Sequence, residues 1–207
     1  MINKSDIGGV ILAGGKASRM GFRDKALVPL HGKPLLEYVI AKARPQVTQL
    51  VLSVNHNIEH YQAFELAIVS DRDASYAGPL LGILSAMQWF QNVQTDKGIR
   101  YLACFPADVP EFPQDVVSQL AQELDKKSAS VAYIHHQDQI QPLFSLWHLE
   151  QTRQVEAAVS AGIVGPKLLF GALKAVAVTC EDNSPGTFCN INSTEDLEAA
   201  ALLIAPK

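Results

Sequence analysis

Apolar residues in this chain come mostly as short, dense runs that stop on a glycine, a proline or a polar residue. The first, Ile7–Leu12, is interrupted only by Gly8 and Gly9 and empties into Ala13-Gly14-Gly15. Residues 50–54 stop at Asn55, residues 68–70, behind Leu66 and Ala67, stop at Asp71, and residues 101–105 close into Pro106-Ala107-Asp108-Val109-Pro110. Runs of this length and density predict strands buried on both faces, as in a parallel sheet. Between them, residues 35–42, 80–90 and 114–124 carry apolar positions at helical spacing, and Pro34 suits the first position of the first helix, with Pro45 helping to stop it. Strands alternating with helices predict an open, mostly parallel sheet flanked by helices, a three-layer Rossmann-like α/β fold.

From Ser130 the rhythm changes. Residues 131–134 and 143–147 read as strands joined by a polar turn at Gln137-Asp138-Gln139, which predicts a small antiparallel part at the far side of the sheet. Residues 151–160 and 166–173 read as helical and Ala175–Thr179 as a strand. Ser193 with Asp196 three positions on predicts a capping box that opens a last helix to Ile204. In an open parallel sheet, ligands bind at the carboxyl ends of the strands, so Gly14, Asn55, Asp71 and Asp108 are expected to share one crevice.

With 207 residues, 48% of them hydrophobic, the chain fits a single domain spanning 1–207. No uncharged segment reaches membrane-spanning length and no basic region precedes an apolar N-terminal run, so a cytoplasmic protein without membrane contact is expected. Cys104, Cys180 and Cys189 are odd in number and widely spaced, which predicts buried thiols rather than disulfides or zinc. The six histidines lack metal-ligand spacing and are expected on the surface or in turns. No Gly-x-Ser-x-Gly elbow suggests a hydrolase. Seventeen basic against 21 acidic residues, with no long basic tract, argue against nucleic-acid binding.

The basic residues are nonetheless uneven. Lys16, Arg19, Arg23 and Lys25 follow the glycine loop within ten residues, a local excess suited to an anion. The loop is neither Gly-x-x-x-x-Gly-Lys-Ser/Thr nor Gly-x-Gly-x-x-Gly. Asp108, between two prolines past a strand, suits Mg²⁺, which takes oxygen ligands and commonly one or two carboxylates plus substrate phosphates. Asn55 and Asp71 offer the amide and carboxylate groups that could distinguish guanine, with its N1–H and N2–H₂ donors, from adenine. Gly78-Pro79-Leu80 opens a helix whose N-terminus could face an anion.

The sequence Leu-Ala-Gly-Gly-x-x-x-Arg-Met-Gly-x-x-x-Lys, residues 12–25, resembles the signature loop of nucleotidyltransferases, and its Gly-Gly form with Arg-Met-Gly and Asp-Lys is most similar to the molybdenum cofactor guanylyltransferase family. Asp71 followed by Gly78-Pro79-Leu80-Leu81-Gly82, the Pro106-Ala107-Asp108-Val109-Pro110 segment, Gln141-Pro142-Leu143 and Asn190-Ile191-Asn192 extend the resemblance. It implies a nucleotidyltransferase-type fold, a nucleotide-binding N-terminal half and an acceptor-binding C-terminal half. It implies transfer of GMP from GTP to molybdenum-molybdopterin, with Mg²⁺ on Asp108, catalytic roles for Arg19, Lys25 and Asp108, and nucleotide contacts from Leu12, Ala13, Gly14, Gly15, Lys25, Asn55, Asp71 and Asp108. Asn190 and Asn192 fall on the acceptor side, and transient contact with cofactor-delivering proteins or apo-molybdoenzymes is implied too. Two other readings stay open: a cytidylyltransferase or sugar-phosphate nucleotidyltransferase of the same fold, and a nucleotide-binding partner without catalysis.

Overall fold

A computed structural model of the chain describes residues 1–14, 24–71, 78–93 and 98–205. Its main sheet has the order β5-β4-β1-β6-β8-β7-β9, from β1 (Ile7–Leu12), β4 (Gln49–Ser53), β5 (Ala67–Val69), β6 (Tyr101–Pro106), β7 (Val131–His136), β8 (Gln139–His148) and β9 (Ala175–Thr179). Only β8 runs against the others. The antiparallel pair is therefore inserted into the main sheet between β6 and β9, not appended beyond it. A two-stranded ribbon, β2 (Pro29–Leu30) and β3 (Lys33–Pro34), stands apart. Its turn, His31-Gly32, has φ of 49° and 79°, the double positive φ that lets a two-residue hairpin follow strand twist.

The period of two along each strand sorts side chains to two layers of helix. Tyr101, Ala103 and Phe105 of β6 join the core shared with α1 (Leu35–Ala43) and α3 (Val116–Lys127), whereas Leu102 and Cys104 join the core shared with α2 (Pro79–Asn92) and α4 (Thr152–Ser160). Burial pushes the Cys104 thiol pKa up, so it stays a neutral apolar filler. A third, smaller core joins Val28 and Leu30 to Leu35, Tyr38, Ile191 and the inner face of α5 (Thr194–Leu203).

Four expectations are corrected. Pro34 pairs with Pro29 in the ribbon, so α1 opens at Leu35. Residues 166–173 form a short 3₁₀ turn, Pro166–Leu168, and then hydrogen-bonded turns, because Gly171 and the exposed Leu168 interrupt any continuous apolar face. Cys189 is exposed while Cys104 and Cys180 are buried. His136 is buried, its Nδ1 3.1 Å from the Cys180 carbonyl oxygen and its ring against Phe188.

One cluster positions the loops that matter below. The β7–β8 register shifts between Tyr133 and Ile134, and Phe144, in the looped-out part of β8, packs its ring 5.0 Å from Phe112 and 4.9 Å from Phe188. Phe112 follows Asp108 and Phe188 precedes Asn190, so one side chain props both segments. Phe144→Ala should lower the free energy of unfolding by about 3–5 kcal/mol, as truncating a fully buried aromatic does, measured by denaturant titration.

The capping box of α5 also forms as predicted: Ser193 Oγ accepts from Asp196 N–H, and Asp196 Oδ2 accepts from Ser193 N–H and Asn192 N–H. The Asn192 N–H bond, with that of Ser193, holds the Asp196 carboxyl below the ordinary carboxylate range despite some desolvation. A depressed folded-state pKa gives stability that is present above the unfolded pKa, about 3.9, and is lost as pH falls through the folded value. Asp196→Asn should therefore cost on the order of 1 kcal/mol at pH 7, a gap that closes below about pH 3.9 in unfolding curves recorded across pH.

Candidate active site

Four predicted residues stand in a row at one edge of the sheet. Asp71, Asn55, Gly14 and Asp108 each lie two positions past the last residue of β5, β4, β1 and β6, and these strands are neighbours in that order. Register aligns their ends, pairing Val69 with Ser53, Ser53 with Leu12, and Leu12 with Pro106. Sheet bonding continues one step further: Ala13 N–H donates to Ser53 O at 3.0 Å and Ala107 N–H donates to Leu12 O at 3.2 Å. Gly14 is thus held between Asn55 and Asp108, on the same side of the molecule as both. Three strand spacings separate Asp71 from Asp108, about 14 Å, the scale of a nucleotide lying across the strand ends.

At the Asp108 end, charge is concentrated. Lys25, in a single 3₁₀ turn Lys25–Leu27, is 8% exposed. Its Nζ donates to Asp108 Oδ2 at 2.5 Å, Asn192 Oδ1 at 2.5 Å and Asn190 Oδ1 at 3.0 Å. A buried ammonium demands this: its desolvation is offset only when every donor finds an oxygen and one of the oxygens is charged. The asparagines arrive by simple geometry. Ile191, between them, is buried against Val28, Leu30 and α5, and alternation in an extended segment turns both neighbours the other way. Ile191 N–H donates to Asp108 O, and Phe188 N–H to Glu111 O, zipping this segment onto the Asp108 loop. Asn192 is therefore no helix cap; Ser193 is.

The Asp108 loop is anchored from beneath by α1. Lys42, also buried, pairs with Glu111 and donates to Phe112 O. Gln46 donates to Pro113 O and accepts from Val117 N–H, tying α1 to the start of α3. Asp24, next to Lys25, accepts from Asn57 Nδ2 at 2.8 Å.

At the other end, Asn55 and Asp71 face each other. Asn55 Nδ2 donates to Asp71 Oδ2 at 2.6 Å, and Asp71 N–H donates to Asn55 Oδ1 at 2.8 Å. Ser85 Oγ of α2 donates to Asp71 Oδ1 at 2.8 Å. Ser85 was not singled out from the sequence; its signal is a hydroxyl in the middle of the otherwise apolar Leu80–Met87 stretch. The N-terminus of α2 is already partly engaged, since Leu80 N–H donates to Val164 O. Gly15, Lys16, Arg19 and Arg23 lie outside the described residues.

Together these residues form a nucleotide-sized edge with a polar, uncharged-plus-carboxylate end and a compensated cationic end. Residues 9–176 match the family model described as the MobA-like NTP transferase domain. The chain is 34% identical over 193 residues to the molybdenum cofactor guanylyltransferase of Yersinia pestis, covering 93% of this chain and 94% of that protein. It is 35% identical over 196 residues to the protein of the same name from Shewanella putrefaciens, covering 95% and 96%. The crystal structure of molybdopterin-guanine dinucleotide biosynthesis protein A from Archaeoglobus fulgidus shares the fold, with a TM-score of 0.77 at 24% identity over 94% of this chain and 97% of that one. With residues 9–176 matched by that model and more than nine-tenths of its length shared with these relatives at 34–35% identity, the chain belongs to the MobA-like NTP transferase family.

Proposed function

We propose that the protein transfers GMP from GTP to the terminal phosphate of the molybdenum-molybdopterin cofactor, yielding the guanine dinucleotide cofactor and pyrophosphate. The observation that carries this reading is the convergence of Lys25, Asp108, Asn190 and Asn192 beside Gly14, in a chain whose relatives bear the guanylyltransferase name. An oxygen of the acceptor phosphate attacks the α-phosphorus of GTP; the bond from that phosphorus to the oxygen bridging the β-phosphate breaks, and its electron pair leaves with pyrophosphate. A phosphomonoester is already anionic near neutral pH, so it needs aiming more than deprotonation, and no general base is required.

Asn55 and Asp71 would seat the nucleoside, and Leu12, Ala13, Gly14 and Gly15 would bring main chain to the phosphates. Lys25 and Arg19 would neutralise charge developing on the departing pyrophosphate, where fixed cations act most strongly on rate. An ammonium has three donors, and those of Lys25 are matched to three oxygens; a phosphate oxygen reaches it by taking the place of one of them. The donor set also fits a hard cation. Asp108 would hold Mg²⁺, with the amide oxygens of Asn190 and Asn192 beside it. Among the described residues no group of three His, Cys, Asp or Glu side chains could hold a metal, which suits an ion that takes its remaining ligands from phosphate and water. When bound, that ion supplies positive charge to the polyphosphate. Asn190, Asn192 and the Gln141-Pro142-Leu143 segment would face the acceptor. Transient contact with cofactor-delivering proteins or apo-molybdoenzymes, in the cytoplasm, belongs to the same reading.

Incubating the protein with the molybdenum cofactor, Mg²⁺ and each labelled nucleoside triphosphate should give a dinucleotide product with GTP; product from CTP in preference would replace this reading with a cytidylyltransferase. Lys25→Ala and Asp108→Ala should each lower turnover by more than about a hundredfold, the scale of removing one charge-stabilising group, while circular dichroism stays unchanged. Near-normal turnover in either variant would remove that residue from the site.

A further inference from the structure

The hydroxyl of Ser85 has an unusual destination. Serine within a helix ordinarily returns its hydroxyl to a carbonyl one turn earlier. Ser85 instead crosses to the loop after β5 and donates to Asp71 Oδ1 at 2.8 Å, although it is buried in the face α2 turns to the sheet. Gly82, one turn before it on the same helical face, sets the approach. A Cβ on Gly82 would stand 2.7 Å from Ser53 Oγ and 3.0 Å from Leu12 Cδ2, so α2 can lie this close to the ends of β1 and β4 only because residue 82 has no side chain.

The consequence falls on Asp71. One carboxylate oxygen is held by Ser85 from beneath, the other by Asn55 Nδ2 from the side, and the Asp71 N–H is held by Asn55 Oδ1. An ionised carboxylate has about four acceptor positions. Two are spent on this frame, and the rest remain for donors of a ligand. A half-buried aspartate at a strand end would otherwise sample several rotamers; two carboxylate bonds from two elements fix one, and the main-chain bond to Asn55 fixes the backbone that carries it. Asn55 in turn lies next to the phosphate loop, since a Cβ on Gly14 would be 3.9 Å from its Nδ2.

We propose that Ser85 is a positioning residue for nucleoside recognition: it acts through Asp71, pre-setting the carboxylate that meets the donors of the nucleoside, and takes no part in the phosphate end of the site. This rests on the reading of the Asn55–Asp71 pair as the nucleoside seat. Pre-organisation of this kind appears in affinity, because the ordering no longer has to be supplied on binding.

The test is a double-mutant cycle read by calorimetry with GTP and, separately, with pyrophosphate. Ser85→Ala should weaken GTP binding about tenfold, the scale of losing a hydrogen bond to a charged group, raise KM for GTP by a similar factor and leave kcat and pyrophosphate affinity unchanged. In an Asp71→Ala background, which itself weakens GTP and leaves the Ser85 hydroxyl without its acceptor, adding Ser85→Ala should cost nothing further. GTP affinity of Ser85→Ala equal to wild type, or losses that multiply in the double variant, would overturn the inference while leaving the nucleoside seat standing. GTP affinity unchanged in Asp71→Ala would overturn the seat itself and the inference with it.

Discussion

The arrangement of this molecule turns on one buried ammonium. Lys25 Nζ is withdrawn from solvent and matched to a carboxylate and two amide oxygens, and those three oxygens come from positions 83, 165 and 167 residues away in sequence. A charge in a low-dielectric site is tolerated only with complete pairing, so the cost of leaving any donor unmatched ties the turn at Lys25, the end of β6 and the segment before α5 together. The hydrophobic cores could accept small shifts of these loops; the ammonium accepts few. Phe144 under both oxygen-bearing segments, and Lys42 with Gln46 under the Asp108 loop, hold the acceptors at the height the lysine needs.

The sheet supplies the complementary dimension. Because neighbouring strands stop in register, residues two positions past each end fall into line, and the line has a direction: a carboxylate held by neutral donors at Asp71 and Asn55, main chain at Gly14, and a paired cation and carboxylate at Lys25 and Asp108. Ser85 and Phe144 support opposite ends of the row through different helical layers.

Much of this was legible beforehand, for a physical reason. Buried parallel strands write themselves as apolar runs, and their ends as the first polar or glycine residue; hence Gly14, Asn55, Asp71 and Asp108 could be placed together from sequence. The Ser193–Asp196 box is equally local and also formed. What sequence could not give were pairings between distant segments. That Lys25 would meet Asn190 and Asn192 depends on Ile191 being drawn into the third core, and nothing near residue 191 states which core that is. Pro34 misled because a proline at a helix start and one in a short ribbon have the same φ. The helical reading of 166–173 failed because apolar spacing there serves the core without a continuous helix, Leu169 and Phe170 being buried and Leu168 exposed. His136 was missed since its partner is a main-chain carbonyl, invisible to any side-chain motif.

The same contacts bear on how the chain divides its labour. A nucleotide-binding first half and an acceptor-binding second half are what the family resemblance implies, yet Lys25 is completed by residues from the last tenth of the chain. Asp196 fixes the backbone of Asn192, Asn192 fixes Lys25, and Ile191 seals the small core that also holds the ribbon leading away from Lys25. His31, at the tip of that ribbon, lies 2.9 Å from the Ile204 carbonyl at the far end of α5. Each end of α5 is therefore bonded to an element carrying or flanking the cation. A chain ending before residue 190 would leave the ammonium with Asp108 alone, two of its donors without an acceptor, even though every residue of the glycine loop remained.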